Sequence, residues 1–108
     1  MTEDKIEQLS IIEQNLQVLS SQKQNLQAQL LEVENALEEL FKSKDKVYKI
    51  VGSIMVLAEK TNLEKDLNSK KEIIDLRIKN FEKQENKIKE KMNQVQQEVL
   101  KDLKKKEV

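Results

Sequence analysis

Residues that interrupt helices are almost absent from this 108-residue chain. It contains no proline, and its single glycine, Gly52, lies near the middle. Proline removes a backbone donor and clashes with the preceding turn, and glycine carries the largest conformational entropy cost, so helices commonly end at these residues. The pattern predicts one domain spanning residues 1–108, with a long helix over residues 3–43 and a second over residues 62–106.

The composition argues against a compact globule. Hydrophobic residues make up 37% of the chain, charged residues 37% and aromatic residues 3%, whereas globular domains hold roughly 45–50% apolar and about 25% charged residues. Disordered chains share such a composition but lack sustained apolar periodicity. This chain has that periodicity, which favours long helices or a coiled coil.

In the first predicted helix, apolar residues recur at alternating steps of three and four over more than four heptads, the pattern of a coiled coil. One polar residue, Lys23, occupies a position in this series, and its ammonium is expected to extend outward along its aliphatic stem. The apolar positions are Leu9, Ile12, Leu16, Leu19, Leu26, Leu30, Val33, Leu37 and Leu40.

The second predicted helix opens with the sequence TNLE, in which Thr61 as N-cap and Glu64 form a capping box. Its apolar series contains consecutive steps of four, which are stutters that locally unwind a left-handed supercoil. We call the line of residues along which each helix faces the other the seam. Three polar residues, Lys70, Glu85 and Asp102, fall at or near it. The apolar positions are Leu67, Ile74, Ile78, Phe81, Ile88, Met92, Val95, Val99 and Leu103.

The two predicted helices carry opposite charge although the whole chain is neutral. Residues 1–42 hold eight acids and three lysines, a net charge of −5, and residues 60–108 hold fourteen bases and ten acids, a net charge of +4. Opposite charge favours pairing of the two helices with each other over pairing with copies of themselves.

Residues 46–58 form an apolar island, KVYKIVGSIMVLA, between the helices. Val, Ile and Tyr suit a pleated surface, and Gly52 followed by Ser53 suits a two-residue type II′ turn, so the island is predicted to be a β-hairpin. The alternative is a continuous helix with a kink at Gly52. Two helices joined by a short hairpin fold back antiparallel.

The hairpin does not alternate apolar and polar residues, so both of its faces require burial. A lone two-stranded hairpin is marginal in water, and its edges expose unpaired backbone groups. We expect hairpins from several chains to join in a shared sheet or barrel, although a hairpin packed back on the helix ends is the alternative. The residues predicted to assemble are Val47, Tyr48, Ile50, Val51, Gly52, Ile54 and Val56.

The segment VYKIVGSIMV, followed by the long helix containing KNFEKQENKIKEKMNQVQQEV, resembles the β-class subunit of prefoldin, a hexameric chaperone. The resemblance covers nearly the whole chain, and one hairpin instead of two separates this class from the α-class subunits. It implies a mainly α fold, in which a long antiparallel two-helix coiled coil is joined by one β-hairpin that oligomerises into a shared β-barrel.

The resemblance also implies a function. The chain is expected to be a subunit of a cytoplasmic, ATP-independent holdase without cofactors, in a hetero-hexamer of two α-class and four β-class subunits. Unfolded client proteins would bind at the coiled-coil tips and pass to a group II chaperonin.

The end of the predicted coiled coil that lies away from the hairpin, where both chain termini meet, is its far tip. It carries apolar residues in addition to those at the positions that pair the two helices. Frayed ends with surplus apolar side chains are suited to gripping unfolded segments, while scattered exposed apolar residues at a coiled-coil end need no function. The resemblance favours client binding. The basic end KDLKKK suits a helix C-terminus or an acidic partner surface. The candidate client-binding residues are Met1, Ile6, Leu9, Val99, Leu100 and Leu103.

Other function classes have little support in the sequence. The chain has no histidine or cysteine and one glycine, which leaves out the usual general bases, thiol nucleophiles, transition-metal ligands and phosphate loops. We therefore predict no enzymatic activity and no metal site. An RNA-binding arm is disfavoured because acids interrupt the lysines and aromatics are few. A passive scaffold remains a rival, and the longest apolar run, Ile54 to Ala58, is too short to span a membrane.

Overall fold

The computed structural model describes residues 2–106, which form two long helices joined by one hairpin. Helix α1 spans Thr2–Lys42, strand β1 spans Val47–Val51, strand β2 spans Ile54–Ala58, and helix α2 spans Lys60–Lys106. The mainly α fold with a single antiparallel hairpin is therefore as predicted, and the helix ends lie within two residues of the predicted ones.

Helix α1 has charged residues that suit both of its ends. Glu3 and Asp4 lie in the first turn and Lys42 in the last, which complements the positive N-terminal and negative C-terminal ends of the helix dipole. The Ser43 N–H donates to the carbonyls of Glu39 at 3.0 Å and Leu40 at 3.3 Å, which closes the last turn. The helix therefore ends in a tightened turn with its terminal carbonyls partly satisfied.

Helix α2 begins at Lys60, and Glu59 occupies its N-cap position. The Leu63 N–H donates to the Glu59 carbonyl at 3.0 Å, and the Asn62 side-chain amide donates to the Glu59 carboxylate at 3.2 Å. The predicted capping box with Thr61 as the N-cap is wrong, because Thr61 already lies inside the helix. The helix starts as soon as strand β2 ends, and Glu59 is the residue between them.

Strands β1 and β2 pair antiparallel around a tight turn. Val51 pairs with Ile54, and the register continues to Val47 and Ala58. Gly52 has a φ of 63°, whereas no non-glycine residue of the described chain has a positive φ. In a type II′ turn, the first of the two central residues has a positive φ and the second does not. Gly52 and Ser53 fit this description, which agrees with the predicted turn. The alternative of a continuous kinked helix is ruled out.

The described chain divides into two compact units. Unit 1 consists of the described residues up to Gln24 and those from Lys79 onward. Its apolar core contains Ile12, Val95 and Val99, against which Leu9 and Met92 pack. Early residues of α1 thus contact late residues of α2, so the two helices run antiparallel in this unit.

Unit 2 consists of residues Asn25–Ile78 and holds the hairpin. Here the Lys71 ammonium lies 3.7 Å from the Glu34 carboxylate, and both side chains are partly exposed. Exposed pairs of this kind contribute little to stability, so apolar burial holds the unit together. The buried apolar residues of unit 2 are Leu26, Val33, Leu40, Ile74 and Ile78.

The seam predicted for α1 is confirmed. Every residue of the predicted series, Lys23 included, is buried or half-buried, and the residues between them are mostly exposed. The same alternation of three and four reaches back to Lys5, which is also half-buried. The buried stripe of α1 therefore includes two lysines.

The seam of α2 is more regular than predicted. From Leu67 onward it passes through Lys71, Glu85 and Asp102, which are half-buried or buried, and its steps alternate between four and three, so the predicted stutters are absent. The prediction that Glu85 and Asp102 lie at or near the seam is confirmed, whereas Lys70 is exposed, and Leu103 is exposed at 45% and lies outside the seam. The stutters were predicted because the series counted apolar residues only, while charged residues with partners on α1 fill these seam positions.

Substituting Gly52 tests the turn. A side chain at φ 63° is strained whatever the surrounding space, and left-handed backbone costs an L-residue about 1–2 kcal/mol. Gly52→Ala should therefore open the hairpin more often and accelerate amide exchange of residues 47–58 by about 5–30-fold. Ser53→Ala, at a position without positive φ, is the control and should leave exchange unchanged. Equal exchange in both variants would contradict the assigned turn.

Candidate functional site

The hairpin presents an apolar surface that the rest of the described chain does not cover. Ile50 is 74% exposed, Met55 67% and Ile54 65%. Only Val47 and Ala58, at the ends of the strands nearest the helices, are half-buried. We call residues 47–58 the hairpin surface. Because these side chains are exposed, the alternative in which the hairpin packs back on the helix ends is ruled out.

Both faces of the hairpin are apolar. Side chains alternate between the faces of a strand, so the register places Tyr48, Ile50, Met55 and Leu57 together on one face. All four are at least half exposed. The other face carries Val47, Val51, Ile54, Val56 and Ala58, with Lys49 as its one charged residue. Apart from Lys49, neither face has the charged residues that a sheet face exposed to water usually carries.

The structure brings the predicted assembly residues together and adds two more. The seven predicted residues all lie on the hairpin or its turn. Met55 pairs with Ile50 and Leu57 pairs with Tyr48, and neither partner was among the predicted residues. The signal for them was available, since a two-residue turn at Gly52 and Ser53 fixes the register and therefore names every cross-strand partner.

The candidate client-binding residues divide into exposed and buried ones. Ile6, Leu100 and Leu103 are exposed, and we call these three the end cluster. An ion pair of 2.9 Å between Lys5 and Asp102 places the chain positions of Ile6 and Leu103 at the same end of unit 1. The apolar surface that remains available there is that of these three side chains.

Two further candidates belong to the core of unit 1. Val99 is buried, and Leu9 packs partly buried against the cluster that contains Val99 and Ile12. Val99 is therefore covered by the pairing of the helices, and Leu9 is only partly accessible to a client. Met1 lies outside the described residues.

A buried ion pair lies in the seam of unit 1. The Lys23 ammonium is 2.9 Å from Oε1 of Glu85, with side chains 23% and 9% exposed. Oε1 is fully enclosed and has no partner of hydrogen-bond geometry among the described residues. The ammonium is nevertheless close enough to balance the charge, and we treat the contact as an ion pair. It keeps the Glu85 carboxylate from being a lone buried charge, which would be strongly destabilising.

A second group of charges lies near the end cluster. The Lys5 ammonium donates to Asp102 at 2.9 Å and lies 3.7 Å from the Glu98 carboxylate. The hydrogen bond to Asp102 is the main cause that raises the pKa of Lys5. The carboxylate of Glu85, with a smaller contribution from Glu82, likewise raises the pKa of Lys23. Both lysines are therefore held in their charged form.

Neither a metal centre nor a membrane helix is part of the described structure. Residues 2–106 contain no group of three or more acidic side chains positioned to hold a metal ion. In the same range, no helix combines the length and hydropathy that crossing a bilayer requires. The hairpin surface and the end cluster are exposed apolar surfaces, and both are suited to binding other chains by apolar contact.

Comparison with known proteins identifies the family. The family model described as "Prefoldin subunit" matches residues 3–106. The chain belongs to the prefoldin subunit family. This membership supports a chaperone-type role and agrees with a fold of two long helices joined by an exposed hairpin.

Prefoldin relatives match over most of their length. The chain is 38% identical over 96 residues to the prefoldin subunit beta of Archaeoglobus fulgidus, covering 87% of this chain and 83% of that protein. It is 35% identical over 103 residues to the prefoldin subunit beta of Methanothrix thermoacetophila, covering 94% and 86%. The resemblance to the β class that the hairpin motif suggested is thus confirmed in the sequence of whole subunits.

A solved prefoldin structure has the same fold. The crystal structure of the prefoldin beta subunit from Thermococcus strain KS-1 matches with a TM-score of 0.90 at 31% identity, covering 94% of this chain and 91% of that one. The helix–hairpin–helix arrangement described above is therefore the fold of a prefoldin beta subunit.

Stability at alkaline pH tests the contribution of the half-buried Lys23. A lysine whose folded pKa is raised above its ordinary value of 10.5 stabilises the fold below that value, and the contribution disappears as pH rises through the raised pKa. Lys23→Met should lower the melting temperature at pH 8, because Glu85 loses its partner. Between pH 9 and the strongly alkaline range, the wild-type melting temperature should fall more steeply than that of the variant, measured by circular dichroism.

The control for this experiment is Lys42→Met, which removes an exposed lysine paired within one helix turn to Glu38 at 3.4 Å. Its melting curve should run parallel to the wild type across the same pH range. A Lys23→Met curve that also runs parallel would show that the Lys23 charge does not stabilise the fold.

Proposed function

We propose that this chain is a subunit of an ATP-independent chaperone, a holdase that binds unfolded proteins and prevents their aggregation. The observation that carries the proposal is the uncovered hairpin surface, which is apolar on both faces and belongs to a chain whose helices use their regularly spaced apolar residues on each other. Membership of the prefoldin subunit family supports it. We assign no enzymatic activity to this subunit.

The hairpin surface is the assembly site in this proposal. Burying apolar surface stabilises an association by about 25 cal/mol per Å², and the free strand edges add backbone hydrogen bonds when hairpins join. Several hairpins would then close into a shared β-barrel. The partners are copies of this chain and an α-class prefoldin subunit, in a hetero-hexamer of four β-class and two α-class subunits.

The end cluster is the client-binding site in this proposal. Ile6, Leu100 and Leu103 are exposed in unit 1, away from the sequence positions that form the hairpin. Unfolded proteins expose apolar side chains, and apolar contacts that need no fixed geometry bind many such segments weakly and reversibly. The holdase would work in the cytoplasm and pass its clients to a group II chaperonin. The basic segment from Lys101 to Lys106 supports docking to an acidic surface.

Charging the hairpin surface should prevent assembly. Ile50→Lys combined with Met55→Lys places two charges on the apolar face, where burial of unpaired charge is unfavourable. Native mass spectrometry of the chain purified from its own cells, with its partner subunits, should give a six-subunit complex for the wild type and a 12.7 kDa monomer for the variant. Leu31→Lys, at an apolar residue of α1 that is 59% exposed, is the control and should still assemble. A monomeric wild type would overturn the assembly proposal.

Removing the end cluster should abolish client protection without affecting assembly. In the triple variant Ile6→Gln, Leu100→Gln and Leu103→Gln, each change removes part of the roughly 1.5–3 kcal/mol that full burial of an apolar side chain contributes. Client affinity should then fall at least about tenfold, since 1.4 kcal/mol is a factor of ten. The measurement is light scattering of an aggregating client protein at increasing chaperone concentration.

The matched control also replaces one isoleucine and two leucines with glutamine, as Leu31→Gln, Ile73→Gln and Leu76→Gln. These residues have similar exposure but belong to unit 2. It should protect the client as well as the wild type. Equal protection by both triple variants would reject the end cluster as the client site. A complex that assembles but never protects a client would instead indicate a passive scaffold.

A further inference from the structure

In the seam of unit 1, the charged residues of each helix have the sign opposite to the net charge of that helix. Helix α1 has only three lysines, and two of them, Lys5 and Lys23, are half-buried in the seam. The basic helix α2 places two acids, Glu85 and Asp102, at its own seam positions. This arrangement is the reverse of what the net charge of each helix would give by chance.

These four residues form two pairs that bracket the apolar core. Lys23 contacts Glu85 and Lys5 contacts Asp102, each at 2.9 Å. The core around Ile12 lies between them in the sequence of both helices. The spacing along α1, from residue 5 to 23, nearly equals that along α2, from residue 85 to 102, so both pairs form together in the same alignment.

Stability alone does not explain the Lys23–Glu85 pair. Removing two charges from water is costly, and replacing a buried ion pair with apolar residues of similar size is often neutral or stabilising. What a buried polar pair provides in coiled coils is a defined register and a defined partner. The distances and burial of these pairs therefore point to specificity of helix alignment.

A slipped alignment would separate the charges from their partners. Sliding one helix by seven residues keeps the seams facing each other, because the heptad pattern repeats. In one direction, the slip places Lys23 level with Met92 and Asp102 level with Ile12. Each of these half-buried charges then loses its partner and faces an apolar residue, which is unfavourable.

The opposite slip has the same effect on the other two charges. It places Lys5 level with Val95 and Glu85 level with Leu16. An all-apolar seam would be nearly indifferent between these alignments, since every slip of seven would still put apolar residues opposite each other.

The connection at the hairpin does not by itself prevent slippage. Residues 43–46, SKDK, are not helical and contain no glycine or proline, so one more turn of α1 could form there. Unwinding the first turn of α2 would release a similar length of chain. Each adjustment shifts the alignment of the helices by about one turn, which is 3.6 residues. Together they allow a slip of about seven residues.

We infer that the Lys5–Asp102 and Lys23–Glu85 pairs set the register of α1 against α2 in unit 1. They also oppose pairing of like helices, because a parallel pair of α1 helices in register would set Lys23 against Lys23. The register in turn fixes which apolar residues face each other, so that Val95 and Val99 pack against Ile12. This inference concerns helix alignment and stands whether or not the chain acts as a holdase.

Distance measurement between spin labels tests the register. The chain has no cysteine, so Ser10→Cys and Gln97→Cys, both at exposed positions of unit 1, would carry the two labels, diluted with unlabelled chain to suppress distances between subunits. The wild-type background should give one distance. The K5L/K23L/E85L/D102L background should unfold at a higher temperature yet add a second distance, displaced by up to about 10 Å for a slip of seven residues.

A charge exchange keeps the inference testable if the apolar variant fails to fold. K23E alone should lower the melting temperature and broaden the distance distribution, and K23E/E85K should restore the single wild-type distance. The control K42Q/E38Q removes an exposed pair outside the seam and should leave the distance unchanged. A single wild-type distance in the folded apolar variant would overturn the inference, as would failure of the exchange to restore what K23E lost.

Discussion

Mutual burial of two apolar stripes, one on each long helix, is the interaction on which the rest of this structure depends. The stripes are narrow, so each helix covers the other along one side only, and no described side chain has less than 2% of its surface exposed. The regularly spaced leucines, isoleucines and valines are buried or half-buried in this pairing. The buried stripes of the helices therefore do not cover the hairpin between them, and a short strand pair rich in Ile and Val stays exposed to solvent.

The two exposed apolar surfaces therefore have different physical origins. The hairpin surface is uncovered because its two faces are both apolar and the chain has no third layer to place against them. The end cluster is uncovered because Ile6, Leu100 and Leu103 fall outside the heptad positions of their helices. The first surface is a strand pair with free edges, and it suits permanent association with other hairpins. The second consists of separate side chains on helices and suits weak, reversible contacts with unfolded segments.

Charged residues within the seam add specificity to an interaction that is otherwise non-directional. Apolar burial scales with area and does not distinguish one heptad alignment from the next, whereas an ion pair requires two particular residues to meet. The Lys23–Glu85 and Lys5–Asp102 contacts make one alignment of unit 1 different from its neighbours. An antiparallel pair of helices in a family of assembling subunits has to exclude both slipped and like-with-like pairing, and these residues provide a physical means.

Features that depend on residues close together in the chain could be predicted from the amino-acid sequence. The absence of proline gave two long helices, the heptad series from Leu9 to Leu40 located the buried stripe of α1, and Gly52 followed by Ser53 defined the turn. The short motif around that turn also indicated the family. Tertiary structure decided what depends on residues far apart. The contacts of Glu85 with Lys23 and of Asp102 with Lys5 depend on how the two helices are aligned. A single helix sequence contains no information about which partner faces each position, so the apolar pattern of α2 alone did not show which charged residues complete its seam.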